Sequence, residues 1–136
     1  MGRRRRVVNV LLDTHTLLWL VSSPAEVDAA AMAELIKPET RVVVSAASAW
    51  EIAIKTRIGR LDGEALLSAW PDIIAGMSAV ELPIESADAI LAGRLPWQHK
   101  DQFDRAIVAQ ALRRNLTVAT RDDKIIDAAL VAVIRA

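Results

Sequence analysis

Short, nearly continuous apolar runs alternate with stretches of helical spacing along almost the whole chain, and that alternation leaves few folds open. Residues 7–12 form an apolar run of the kind found in a strand covered on both faces, and it ends at Asp13. Helical spacing follows at once in Leu17, Leu18 and Val21, until Ser22, Ser23 and Pro24 stop it. Residues 25–36 read as an Ala-rich helix ended by Pro38, and residues 41–44 as a second buried strand. Residues 46–58 read as a helix with Ser45 as N-cap, an apolar stripe of Ala47, Trp50, Ile54 and Ile58, and Gly59 as its stop. The pattern continues as a helix over residues 64–74, a short strand over 80–82 and a helix over 86–95. A strongly amphipathic helix over 101–114 follows, with Asp104, Ile107, Val108, Ala111 and Leu112 on one face. A strand over 116–119, a helical turn over 122–127 and a fifth strand over 130–134 complete the chain. Strands alternating with helices predict a parallel sheet of about five strands with helices on both faces, an α/β/α three-layer fold.

The chain has 136 residues, 53% of them hydrophobic, enough for one substantial core, so residues 1–136 are expected to form a single domain. Seventeen basic residues balance seventeen acidic ones, so a nucleic-acid partner would be held by a local basic patch and not by overall charge. The absence of cysteine excludes disulfides and thiolate metal sites and suits a reducing cytoplasm. Arg3 to Arg6 followed by an apolar stretch has the outline of a signal peptide. Asn9, Asp13 and His15 interrupt that stretch, and no apolar run reaches the roughly 18 residues that a membrane span needs. Neither export nor a membrane anchor is expected. Residues 1–6 read as a solvated basic arm, with phosphate binding or contact with a partner as the alternatives.

Four acids stand where the chain passes between buried strands and helices: Asp13, Glu51, Asp104 and Asp122. A carboxylate in such a place is costly to bury alone, and several together call for a cation. Oxygen ligands without cysteine or paired histidine favour Mg²⁺ or Mn²⁺ over zinc. Asp13 and Asp122 closely follow predicted strands, so both should point into the crevice at the carboxyl ends of an open parallel sheet. Glu51 lies beyond the first turn of the helix after the second strand, and Asp104 in the first turn of the helix before the fourth. Each has an ordinary alternative: Glu51 pairing with Lys55, Asp104 complementing a helix dipole, and Asp122 or Asp123 capping a turn. Asp101 reads as an N-cap. Thr14 and Thr120 are placed to orient the acids or a metal-bound water. His15 reads as a structural residue, with ligand or general base as the alternative, and Trp97, in a loop, is the tryptophan placed to stack on a base.

The segments VLLDTHTLLWLV, VSAASAWEIAIKTRIGRL and LPWQHKDQFDRAIVAQALRRNLTVATRD, in this order and spacing, resemble PIN-domain proteins, and among them VapC-type toxins of bacterial toxin–antitoxin pairs. The resemblance runs from Val8 to about Asp127. It implies the α/β/α fold, Mg²⁺- or Mn²⁺-dependent endoribonuclease activity, a homodimer and neutralisation by a cognate antitoxin. Carried over by position, the family's acids fall on Asp13, Glu51, Asp104 and Asp122. Asp101 matches a further acid of members with an H-x-D-x-F-D-R segment, here His99 to Arg105, in which Gln102 stands where proline is more usual. One rival is a non-catalytic protein of the same fold that binds RNA or a partner. Another is an aspartate-nucleophile phosphatase, which begins with D-x-D, whereas His15 is the second residue after Asp13 here.

Overall fold

The computed structural model describes residues 7–136, so the arm of Arg3 to Arg6 lies outside the described residues. Among the described residues the strands are β1 (Val8–Leu12), β2 (Thr40–Ser45), β3 (Val80–Leu82), β4 (Thr117–Thr120) and β5 (Val133–Arg135). They form one sheet in the order β3-β2-β1-β4-β5, with every neighbouring pair parallel. The helices are α1 (Thr14–Ser22), α2 (Ala29–Leu35), α3 (Ala46–Arg57), α4 (Glu64–Ser68), α5 (Trp70–Gly76), α6 (Ser86–Arg94), α7 (Gln102–Arg114) and α8 (Asp123–Ala128). The fold is the expected α/β/α arrangement. None of these helices is long and apolar enough to cross a membrane.

The continuous apolar character of β1 follows from its central place. Side chains alternate across a strand, so Val10 and Leu12 enter one core with Leu17, Leu35, Ile52 and Trp70, while Leu11 enters the opposite core with Ile107 and Ala111. Val10, Leu11 and Leu12 are wholly buried. From β1 the chain builds outward through β2 and β3 on one side and through β4 and β5 on the other. Strand order therefore reverses between β1 and β4, where the backbone N–H of Asp13 donates to the carbonyl of Ala119 at 3.1 Å. The crevice of an open α/β sheet lies at such a switch point.

Five local readings are corrected. Residues 25–36 form a 3-10 turn (Pro24–Glu26) and then α2, because Asp28 caps a new start by accepting from the N–H groups of Ala30 and Ala31. Residues 64–74 form two helices. Pro71 has no N–H to continue the first helix, and Trp70 turns inward with its indole donating to Glu81 at 3.1 Å. The buried face of α3 is Ala47, Ser48, Glu51 and Ile52, with Trp50 and Ile58 each about half exposed, so the stripe is turned from the one expected. Leu112 likewise lies at the exposed edge of α7. Strand β5 begins three residues later than read, after Ala129 closes α8 in the left-handed conformation.

Helices α6 and α7 are joined by a charge pair. Asp88 is sealed from solvent and accepts from Arg113 at 2.6 Å and from Arg114 at 2.8 Å. Burial alone would raise its pKa, but the bonds from Arg114, the Glu85 N–H and Arg113 prevail and hold it at about 2. The stabilisation is therefore present above the ordinary carboxylate pKa and is lost as pH falls through about 2. Removing the carboxylate leaves a buried gap, takes the partner from Arg113 and leaves Arg114 with Glu85 alone. Asp88→Ala is expected to lower unfolding stability by on the order of 3 kcal/mol in chemical denaturation at pH 7.

Candidate metal centre

Asp13 ends β1 and caps α1. It is 4% exposed, and both of its oxygens are engaged: Oδ1 accepts from the Thr16 N–H at 2.8 Å and Oδ2 from the Thr120 hydroxyl at 2.5 Å. The same Thr120 oxygen accepts from the Asp122 N–H at 3.0 Å. Thr120, the last residue of β4, thus links the two strand-end acids across the switch point. Asp122 caps α8 by accepting from the Lys124 N–H, whereas Asp123 is exposed and paired with Arg135. Thr14 does not reach a carboxylate; its hydroxyl lies 3.0 Å from that of Ser48 on α3.

The α7 side of the crevice carries Asp101, Asp104 and His99. Asp101 caps α7, its Oδ1 accepting from the N–H groups of Phe103 and Asp104 at 2.9 Å each. Asp104 Oδ2 lies 2.7 Å from His99 Nε2. His99, Asp104 and Asp122 each offer a donor atom, and these atoms all lie within 4.8 Å of one another. Burial raises the Asp104 pKa to about 6, with the nearby Asp101 and Asp122 charges adding to the rise and His99 opposing it. The sequence alone does not mark His99 as a site residue, although it opens the H-x-D-x-F-D-R segment.

Glu51 stands apart from that cluster. It is 4% exposed, with Oε2 accepting from Lys55 at 2.5 Å and Oε1 buried without a hydrogen-bond partner. Its helix is fastened to both neighbours: Ser48 meets Thr14 of α1, and Trp50 packs edge-on against Phe103 of α7 at 4.8 Å between ring centres. Asp13 and Asp122 line a cleft of about 310 Å³ together with His15, Trp19 and Arg121. His15 is exposed, and Arg121 stacks 4.1 Å from the centre of the Trp19 ring while donating to the carbonyls of Glu26 and Ala136. Trp97 is half buried, with its ring centre 4.9 Å from that of His99. The donor set of Asp104, Asp122 and the His99 imidazole, mostly oxygen with one nitrogen, fits a divalent cation.

The PIN domain profile matches residues 10–130, and the chain belongs to the PIN domain family. Solved structures share the fold. A chain of VapBC2 from Rickettsia felis, bound to a DNA fragment from their promoter, has a TM-score of 0.68 at 13% identity, covering 93% of this chain and 98% of that one. FitAcB from Neisseria gonorrhoeae gives 0.62 at 23% identity, covering 93% and 96%. VapBC-5 from Mycobacterium tuberculosis, a member of the VapBC family of toxin-antitoxin systems, gives 0.60 at 21% identity, covering 95% and 99%. Comparison with curated protein sequences finds no significant match.

Asp104 gives this centre a pH signature. Its folded-state pKa is about 6 against an ordinary 3.8, so folding takes up a proton between those values. The stability this provides is present below about pH 4 and lost as pH rises through about 6. Asp104→Asn removes the charge, so it is expected to raise the melting temperature of the metal-free protein at pH 7.5, with the gain shrinking towards zero at pH 4. An equal gain at both pH values would show that the ionised carboxylate carries no penalty.

Proposed function

We propose that this protein is a metal-dependent endoribonuclease acting as the toxin of a toxin–antitoxin pair in the cytoplasm. The observation that carries the reading is the convergence of Asp104, Asp122 and His99 on one point beside Asp13, at the switch point of the sheet. In this reading Asp13 and Asp104 are the principal ligands of Mg²⁺ or Mn²⁺, with Glu51 and Asp122 holding it directly or through water. Such an ion supplies an attacking water of lowered pKa and neutralises charge on the phosphate. The chain's own residues do the rest. Thr120 and the Thr16 N–H fix the direction of both oxygens of Asp13. Asp101 holds the start of α7 and thereby the place of Asp104.

RNA is the proposed substrate, and a cognate antitoxin the proposed partner. Solved neighbours that are toxin–antitoxin complexes support the partner, and a cleft that carries Asp13 and Asp122 is a natural receptor for an arginine or lysine side chain offered by an antitoxin. A homodimer is supported by apolar surface: half-exposed Trp50 and Ile84, Ala89 and Gly93 line a groove of about 240 Å³ between α3, α6 and α7.

Two measurements test the reading. Asp13→Asn and Asp104→Asn are each expected to lower Mg²⁺- or Mn²⁺-dependent cleavage of RNA by more than about 100-fold while circular dichroism stays unchanged. Wild-type rates in either purified variant would end the assignment. Light scattering at micromolar concentration is expected to give a mass of two chains, and a single-chain mass would remove the dimer.

A further inference from the structure

The loop from Leu95 to His99 is held by one side chain to a degree its sequence does not explain. Arg105, in the first turn of α7, donates from Nε to the carbonyl of Ala92 at 2.8 Å and from Nη2 to that of Leu95 at 2.9 Å. Its Nη1 donates to the carbonyls of Trp97 at 2.6 Å and His99 at 3.1 Å. Four acceptors thus fix the backbone that carries His99 to the residue next to Asp104. The imidazole is fixed as well: it packs against Trp97, its side chain is 13% exposed, and Nε2 is aimed at Asp104. These restraints suit a ligand, because a donor held in place loses little freedom on binding.

Resting on the metal-nuclease reading above, we infer that His99 is a nitrogen ligand of the metal site, with Arg105 as the residue that positions it, and that the site therefore prefers Mn²⁺ to Mg²⁺. The geometry supports a shared ion, since the donor atoms of His99, Asp104 and Asp122 lie within 4.8 Å of one another. The preference follows from donor chemistry. Carboxylates serve both ions, while an imidazole nitrogen favours the first-row transition ion over the harder Mg²⁺. The chain has two histidines, and His15 lines the neighbouring cleft with Asp13 and Asp122, so it is the proper control.

The test is pulsed electron paramagnetic resonance on the full chain loaded with Mn²⁺ alone, with Mn²⁺ and Mg²⁺ affinities measured by calorimetry. Wild type and His15→Ala are expected to show nitrogen modulation from a bound imidazole, and His99→Ala and His99→Gln to lose it. Both His99 variants are expected to lose about 10-fold in Mn²⁺ affinity and distinctly less in Mg²⁺ affinity. Arg105→Lys, which keeps the charge but cannot span four carbonyls, is expected to weaken the modulation. Mn²⁺ bound in an Asp104-dependent way without nitrogen modulation in wild type, or modulation lost only in His15→Ala, overturns the role of His99 and leaves the nuclease reading standing. Failure of wild type to bind Mn²⁺ at all overturns both.

Discussion

The structure depends on a buried carboxylate being acceptable at the end of its central strand. Asp13 sits where β1 gives way to α1, beside the point where strand order reverses, and its 4% exposure would be prohibitive for an unpaired charge. Thr120 and the Thr16 N–H supply the bonds that water no longer can. The same Thr120 holds the backbone of Asp122, so the end of β4 positions both acids. One hydroxyl therefore joins the two halves of the sheet to the acidic crevice.

Two other partly or wholly buried acids show how differently one fold can treat the same side chain. Asp88 lies between α6 and α7 with Arg113 and Arg114 against it, and its pKa falls to about 2. Asp104 is buried among other acids, has only His99 to oppose them, and its pKa rises to about 6. The first is a completed ion pair, and its role is to fasten helices. The second holds unrelieved negative charge at the mouth of a crevice, which is the electrostatic condition of a functional site. Glu51 fits neither case, since one oxygen is paired with Lys55 and the other is buried without a hydrogen-bond partner.

The PIN architecture places these residues through helix starts. Asp13, Asp101 and Asp122 each cap a helix, and Asp104 follows Asp101 by three residues, within the first turn of α7. A capping acid has a rigid side chain because its oxygens are tied to backbone N–H groups, and those N–H groups stabilise its charge. Capping and site-building are thus compatible uses of the same carboxylate.

The chain's own pattern determined the fold class: apolar runs too continuous for a one-sided sheet, each followed by helical spacing, admit little besides a parallel sheet covered on both faces. It also determined that Asp13 and Asp122 end strands and that Asp101 and Asp104 open a helix, because those positions follow from local periodicity and capping chemistry. Where patterns ran through a local competitor the boundaries moved, as at Asp28 and Pro71, whose caps and missing N–H broke helices that periodicity alone would have continued. The rotation of α3 was not legible, because Trp50 and Ile58 satisfy an apolar stripe on paper while packing against α1 and α7 turns Ser48 and Glu51 inward instead. His99 was hidden for the same kind of reason. A lone histidine in a loop carries no periodic signal, and only the tertiary structure, through the four carbonyls gathered by Arg105, brings its nitrogen to Asp104.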